Sequence, residues 1–127
     1  MADATKQLVW IASSKKDLCE FPDNVRQVMG YALYLAQRGD KHPGAKPLKG
    51  FHGAGVLEVV DDFDGDSFRT VYTVRLADVV YVLHAFQKKS KSGIATPLRD
   101  INLVRERYEL ACRFHAERLD SRSGGKK

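Results

Sequence analysis

Short apolar runs and alternating stretches divide the chain into candidate strands. Residues 8–12 (LVWIA) form the first apolar run and residues 56–60 (VLEVV) the second. Residues 69–76 alternate between two sets of side chains, which is typical of a strand with two different faces. Residues 79–87 form a further apolar stretch, joined to the preceding one through a tight turn at 77–78. The pattern predicts four strands, of which the last two form an antiparallel hairpin.

Helical spacing follows the first predicted strand. Ser14-x-x-Asp17 has the form of a capping box and predicts a short helical turn. After Pro22, apolar residues recur every three or four positions over 25–36, and Gly39 then supplies a left-handed end. These signals predict two helices in the N-terminal third of the chain.

A long helix is predicted at the C-terminal end of the chain. Thr96 suits an N-cap and Pro97 the first helical position. The next apolar positions recur at helical spacing and predict the buried stripe, formed by Ile101, Val104, Tyr108, Ala111 and His115. Residues 40–55 are rich in proline and glycine and are predicted to be a loop. The fold class is therefore α+β, with a small, mostly antiparallel sheet and the order β-α-α-β-β-β-α.

Length and composition fit one globular domain. The chain has 127 residues, 43% of them hydrophobic and 29% charged. We expect a single domain over 1–120 and a flexible basic tail over 121–127, which supplies +3 of the net charge of +5. No apolar run approaches the roughly 20 residues of a membrane helix, and the first residues lack a signal-peptide core. We therefore expect a cytoplasmic protein without membrane partners.

The remaining charge is segregated along the chain. Residues 41–55 and 84–99 contain lysines and an arginine but no acid, whereas residues 56–66 contain five acids and no base. A nearly neutral body with two basic stretches predicts a local anion site, and argues against a broad surface that coats nucleic acid.

The predicted hairpin gathers basic residues on one sheet face. A turn at 77–78 places Val71 opposite His84 and Arg69 opposite Phe86. One face would then carry the core, formed by Thr70, Tyr72, Val74, Leu76, Tyr81, Leu83 and Ala85. The other would carry the charged candidates, which are Arg69, Arg75, His84 and Lys88.

Such a face suits phosphate chemistry. A guanidinium such as that of Arg69 stays charged and can hold two phosphate oxygens. Lys88 and Lys89 could neutralise charge or exchange protons, and His84 has an unperturbed pKa near neutrality. Arg75, Lys49 and Lys91 are candidate substrate-binding residues. A solvated basic surface, or a simple binding site without catalysis, is the competing interpretation.

Metal sites are not expected. The segment Asp62-Phe-Asp64-Gly-Asp66 departs from a calcium loop, because its glycine is one place early and Thr73 stands where a glutamate belongs. Cys19 and Cys112 form no zinc-ligand spacing. We expect no metal and no cofactor.

The stretch from the predicted hairpin to the last helix resembles the RelE/ParE superfamily of bacterial toxins, in particular its HigB-like, often phage-derived branch. In that branch an Arg-x-x-Tyr strand precedes an apolar strand that ends His-x-Phe-x-Lys-Lys, followed by a Thr-Pro helix start. The matching positions are Arg69, Tyr72, His84, Phe86, Lys88, Lys89, Thr96, Pro97 and Ala111. With the order of elements and the KPLKG segment at 46–50, the resemblance covers about residues 8–118.

The resemblance implies the toxin of a type II toxin–antitoxin pair. RelE-like and HigB-like members cleave mRNA, commonly on the ribosome, and are silenced by an antitoxin that is frequently a helix-turn-helix protein. In RelE-like toxins the arginine that matches Arg69 helps to stabilise the transition state, and a basic residue such as Lys88 or Lys89 assists it.

The resemblance leaves two questions open. RelE has lysines in the second strand, whereas this chain has Glu58, so Glu58, His84 and a lysine are all candidates for the general base. The ParE branch inhibits gyrase with the same fold, so a non-enzymatic gyrase inhibitor is an alternative to the ribonuclease. An inactive phage-derived RNA-binding protein is a third possibility.

Overall fold

The computed structural model describes residues 5–51, 53–88 and 95–124 and contains three helices and a five-stranded sheet. The elements are β1 (Gln7–Trp10), α1 (Ser14–Cys19), α2 (Asp23–Gln37), β2 (Ala45–Pro47), β3 (Val56–Phe63), β4 (Asp66–Thr73), β5 (Val79–Lys88) and α3 (Leu98–Gly124). The sheet order is β1-β5-β4-β3-β2, and only β1 and β5 are parallel. The predicted α+β class is confirmed.

The sheet contains one strand that the sequence did not indicate. The predicted loop over 40–55 is wrong at Ala45–Pro47, which pairs antiparallel with β3. Proline is tolerated at the edge of a sheet, where its missing N–H costs no ladder hydrogen bond. The proline-rich composition therefore concealed a short edge strand.

The β3–β4 hairpin turns through Asp64 and Gly65. Phe63 pairs with Asp66, and both turn residues have positive φ values, 54° and 86°. These are the features of a two-residue type I′ turn, which favours Asp-Gly. The acidic segment thus has a conformational role. In the described residues, no group of three His, Cys, Asp or Glu side chains is placed to hold a metal ion.

Helices cover both faces of the sheet. Leu18, Phe21 and the apolar side of α2 pack with Tyr72, Val80 and Val82 in one core cluster. The second cluster joins α3 to the opposite face, and its members include Val71, Tyr81, Leu83, Val104 and Ala111. The predicted stripe of α3 is confirmed, since Val104, Ala111 and His115 are buried. No helix in the described part of the chain is long and apolar enough to cross a membrane.

A β-bulge divides the predicted β4–β5 hairpin into two registers. The expected pairs Arg69–Phe86 and Val71–His84 are present, but Tyr72 pairs with Val82, one residue out of step. The bulge adds one unpaired residue to β5. Relative to the predicted register, the side chains of β5 that precede the bulge therefore lie on the opposite face of the sheet. The prediction that Tyr81 and Leu83 share the core face of Tyr72 is therefore wrong, because both pack in the α3 cluster.

Two predicted helix caps are also wrong. The N-cap of α1 is Ser13, while the Ser14 hydroxyl donates to the Val82 carbonyl, 3.0 Å away. At α3 the Pro97 carbonyl accepts the first backbone bonds. The Thr96 hydroxyl instead donates to Glu58 in β3 and accepts from Arg69 in β4. In both places a tertiary contact replaces the local cap. Helix α3 continues to Gly124, into the segment predicted as tail.

Candidate functional site

Polar side chains converge on the face of β3, β4 and β5 that lies beneath the start of α3. Glu58 pairs with Val71, Arg69 with Phe86, and Ser67 with Lys88. Because alternate residues of a strand share a face, this register places Glu58, Arg69 and Lys88 on the same side. The structure therefore brings together the predicted candidates Glu58, Arg69, His84 and Lys88.

Arg69 is held from three directions. Its Nε donates to Ser67 Oγ at 3.2 Å, and its Nη1 donates to Thr96 Oγ1 at 3.1 Å. The same Nη1 lies 3.6 Å from Glu58 Oε1, while the Thr96 hydroxyl donates to Glu58 Oε2 at 2.8 Å. Thr96 thus bridges the guanidinium and the carboxylate. The three side chains form one hydrogen-bonded unit, which we call the Glu58–Arg69–Thr96 unit.

This unit is nearly closed to solvent. The side chain of Arg69 is 4% exposed and that of Glu58 is 11% exposed. Burial raises the pKa of Glu58, and the hydrogen bond from Thr96 and the charge of Arg69 only partly oppose that rise. A carboxylate whose pKa is moved towards neutrality is better suited to accept and return a proton at physiological pH.

His84 is held at both ring nitrogens. Nε2 lies 2.8 Å from Asp100 Oδ1, and Nδ1 lies 3.4 Å from Arg107 Nη1. A guanidinium can only donate, so Nδ1 is the acceptor and Nε2–H donates to Asp100. Burial lowers the pKa of His84 although Asp100 opposes this, and the ring stacks on Phe86 with centroids 4.6 Å apart. These contacts favour one tautomer of the neutral imidazole.

The lysines of the site differ in position. Lys88 Nζ donates to the Ala95 carbonyl at 2.8 Å, so its ammonium group lies beside the segment that leads into α3. Lys46, for which the sequence predicts no site role, is exposed. Its backbone lies opposite that of Glu58 in the β2–β3 ladder. Lys89 and Lys91, predicted to assist catalysis and to bind substrate, lie outside the described residues.

The structure does not bring Arg75 or Lys49 to this cluster. Arg75 follows the end of β4 and donates to the Gly53 carbonyl at 3.0 Å. The strand from Arg69 to its end at Thr73 already spans about 13 Å, and Arg75 lies two residues further along the chain. Lys49 is exposed and follows the end of β2. The preceding residue, Leu48, donates its N–H to the Val56 carbonyl at the start of β3. The predicted grouping of Arg75 with Arg69 fails because Arg75 lies past the end of β4 and its side chain binds Gly53 instead.

Sequence reasoning missed the contribution of α3 to the site. The sequence pattern predicts Thr96 as a helix cap and predicts no site role for Asp100 or Arg107. Both lie at helical spacing with the buried Val104, so polar residues within an apolar stripe were the available signal. Arg107 also donates to the Leu83 carbonyl at 3.0 Å, which ties α3 to the bulge in β5.

A cleft of about 370 Å³ opens beside this face, at the edge of the sheet. β1 pairs with β5 only as far as Val82, so the following residues of β5 have no strand on their outer side within the described part of the chain. The cleft occupies this edge and is lined by Asp17, Glu20, Phe21, His84, Ala85, Phe86 and Gln87. It connects α1 to the His84 side of the site.

The chain matches the family model described as Phage derived protein Gp49-like (DUF891) over residues 16–109. No curated protein matches the sequence. The matched stretch contains every described residue of the site, from Glu58 to Arg107. The match spans most of the 127 residues, so this chain belongs to the Gp49-like family of phage-derived proteins, within the RelE/ParE-like toxin superfamily.

Proposed function

We propose that this protein is the toxin of a type II toxin–antitoxin pair and stops translation by cleaving mRNA. The observation that carries the proposal is the Glu58–Arg69–Thr96 unit. It places a carboxylate with a raised pKa and a guanidinium on one sheet face, 3.6 Å apart, with Lys88 on the same face. A base, an anion clamp and a second cation are the groups that RNA cleavage by its own 2′-hydroxyl requires.

In the proposed reaction Glu58 is the general base. Its carboxylate takes the proton of a ribose 2′-hydroxyl, and the 2′-oxygen then attacks the adjacent phosphorus. The bond from phosphorus to the 5′-oxygen breaks, which leaves a 2′,3′-cyclic phosphate on one fragment. His84 is a poorer base here because Asp100 and Arg107 hold both of its ring nitrogens.

Arg69 and Lys88 serve the phosphate. The guanidinium of Arg69 offsets the extra negative charge of the pentacoordinate phosphorane, and fixed donors aimed at such charge are among the strongest catalytic contributions. Lys88 is the general acid in this scheme and gives its proton to the leaving 5′-oxygen. These three side chains supply every proton and charge that the reaction moves, so the scheme requires no metal ion.

Binding of RNA requires the site to open. Arg69 is 4% exposed, and Thr96 occupies one of its donors. A phosphate oxygen would replace the Thr96 hydroxyl on Nη1, so the segment at 95–97 has to move away from β4. We infer that the ribosome promotes this movement and supplies most of the affinity, because so small a cationic cluster neutralises only a few phosphates.

A cognate antitoxin, of the helix-turn-helix type, completes the proposal. Its expected effect is to abolish cleavage when it is bound in equimolar amount. A small helix-turn-helix gene next to the one that encodes this chain would support the pairing.

Induced expression of the wild type and the Arg69→Ala variant tests the proposal. The wild type should stop protein synthesis within minutes and leave cleaved messages, detectable by primer extension, whereas Arg69→Ala should leave messages intact at an equal level of soluble, folded protein. Arg113→Ala, on the exposed side of α3, is the matched control and should cleave as the wild type does.

The outcomes separate the alternatives. Intact messages with arrested replication would contradict the ribonuclease and support a gyrase inhibitor. Normal growth at full expression would contradict both and leave an inactive RNA-binding protein. Co-expression with a cognate antitoxin should restore growth in either toxic case, so rescue tests the toxin–antitoxin pairing and cleavage of messages tests the ribonuclease.

A further inference from the structure

We propose that the cleft between α1 and β5 binds a nucleobase of the RNA substrate, with guanine preferred. This proposal rests on the proposed ribonuclease function and adds a specificity site to it. The volume of the cleft, about 370 Å³, lies at the low end of the range for small-molecule sites. A cleft of this size suits one nucleoside and is too small for a folded segment of protein.

The walls of the cleft have the chemistry of a base-recognition site. The half-buried Phe86 offers aromatic surface, and stacking on aromatic rings is a common way in which proteins hold unpaired bases. Phe21 also borders the cleft, but its ring belongs to the core and packs against Phe68. Asp17 and Glu20 offer carboxylates. Gln87 also lines the cleft, and its amide donates to Asp66 at 2.7 Å. Carboxylates accept hydrogen bonds and repel phosphates, so they suit a base and oppose binding of the backbone in the same place.

The carboxylate of Asp17 favours guanine over the other bases. One of its oxygens, Oδ2, accepts from Ser13 Oγ at 2.7 Å, and this bond fixes the orientation of the group. Guanine presents two adjacent N–H donors on its Watson–Crick edge, which a carboxylate can accept together. Adenine offers a single amino donor at that edge, beside an acceptor that a carboxylate repels.

The cleft is correctly placed beside the catalytic face. Phe86 pairs directly with Arg69 in the β4–β5 register, so the two residues lie on neighbouring strands of one face. A base stacked at Phe86 would leave its ribose and phosphate towards Arg69. His84 lines the same cleft and stacks on the Phe86 ring, and its contacts with Arg107 and Asp100 hold this part of the wall in place.

Nucleoside titration of the purified protein tests the inference. The probes are 2′-deoxyguanosine, 2′-deoxyinosine, which lacks the amino group, and 2′-deoxyadenosine. None has a scissile phosphate, so binding is measured apart from catalysis. Deoxyguanosine should shift the amide resonances of residues 84–87 and Asp17, and the other two should bind at least about tenfold more weakly.

Variants separate recognition from folding. Asp17→Asn should weaken deoxyguanosine binding about tenfold or more, because the amide replaces one acceptor with a donor. Asp23→Asn, at the start of α2 and not among the residues that line the cleft, is the matched control and should bind like the wild type. Phe86→Leu is a second test, should Asp17→Asn unfold, and should weaken all three nucleosides equally by removing the stack.

Equal affinity for the three nucleosides, shifts confined to another surface, or unchanged binding by folded Asp17→Asn would each overturn the inference. RNA cleavage distinguishes this failure from that of the ribonuclease proposal. Cleavage without nucleoside selectivity would overturn the guanine site alone. Selective deoxyguanosine binding without any RNA cleavage would overturn the proposed catalysis and leave the base site standing.

Discussion

Glu58 and Arg69 lie diagonally across β3 and β4, with Oε1 and Nη1 3.6 Å apart and the Thr96 hydroxyl hydrogen-bonded to both. Glu58 pairs with Val71, two residues from Arg69, so the contact spans neighbouring rungs of the ladder. The start of α3 closes the pair from above. This relationship makes the same three side chains responsible for both stability and the proposed chemistry.

Removing Arg69 should destabilise the fold strongly. Arg69→Met leaves the carboxylate of Glu58 buried without its partner charge, which typically costs about 3–5 kcal/mol. The double variant Arg69→Met with Glu58→Gln should recover part of that loss, because no buried charge remains. Urea unfolding at pH 7 of the wild type, both single variants and the double variant measures this coupling. A cost below about 1 kcal/mol for Arg69→Met would show that the pair is solvated.

The free energy of unfolding should fall as the pH drops below about 6.5, the ordinary pKa of histidine. Burial lowers the pKa of His84 in the folded state, so the unfolded chain binds a proton first and acidification favours it. Glu58 acts in the opposite sense, since its pKa is raised. The variant His84→Gln should therefore lose less stability than the wild type between pH 7 and pH 5. Parallel stability curves for the two proteins would contradict this.

Replacing Tyr72 with phenylalanine should not lower the free energy of unfolding. Its hydroxyl is buried and has no hydrogen-bond partner among the described residues, and burial raises its pKa to about 12. Tyr72→Phe should leave the free energy of unfolding unchanged or raise it by up to about 1 kcal/mol at pH 7.

The same substitution should also alter the alkaline limb of the stability curve. Between pH 10 and 12 the unfolded tyrosine ionises while folded Tyr72 keeps its proton, so rising pH destabilises the wild type. Tyr72→Phe removes that contribution, and guanidinium unfolding at pH 8 and pH 11 measures the difference. A larger alkaline loss in the variant would contradict the buried phenol.

Two glycines should respond oppositely to alanine. Gly30 is exposed in the middle of α2 with no atom within 4 Å of an added Cβ, so Gly30→Ala should stabilise by about 0.5–1 kcal/mol. Gly55 has φ +76°, and an added Cβ would meet the Arg75 side chain at 2.3 Å. Gly55→Ala should therefore destabilise, by about 1 kcal/mol or more. Thermal unfolding of both variants checks the signs, and a stabilised Gly55→Ala would contradict the assigned turn.

Local pattern was sufficient for most of the fold. Alternation over residues 69–76 and the tight turn gave the correct pairing of Arg69 with Phe86 and of Val71 with His84. The apolar spacing of α2 and α3 gave their buried sides. These features depend on residues that are close in sequence or on a single hairpin. The periodicity of apolar residues can therefore predict them.

What the sequence could not reveal depends on long-range contacts. No residue signal marks the bulge at Leu83, which turned Tyr81 towards α3. The Thr96 hydroxyl was expected to cap α3, but Glu58 lies 38 residues away in sequence and competes for it. The sequence predicts both Glu58 and Arg69 as site residues, but only the pairing of β3 with β4 joins them into one unit.

Cleavage of a defined RNA by the purified protein tests the central claim most directly. We expect the wild type to yield a fragment with a 2′,3′-cyclic phosphate, resolved by mass spectrometry. The carboxamide variant Glu58→Gln should lose at least a hundredfold in rate, because it keeps the shape of the site without the base. Arg75→Ala, outside the site, should cleave at the wild-type rate. Unchanged cleavage by Glu58→Gln, or loss of cleavage in Arg75→Ala alone, would contradict the assignment of this unit as the catalytic site.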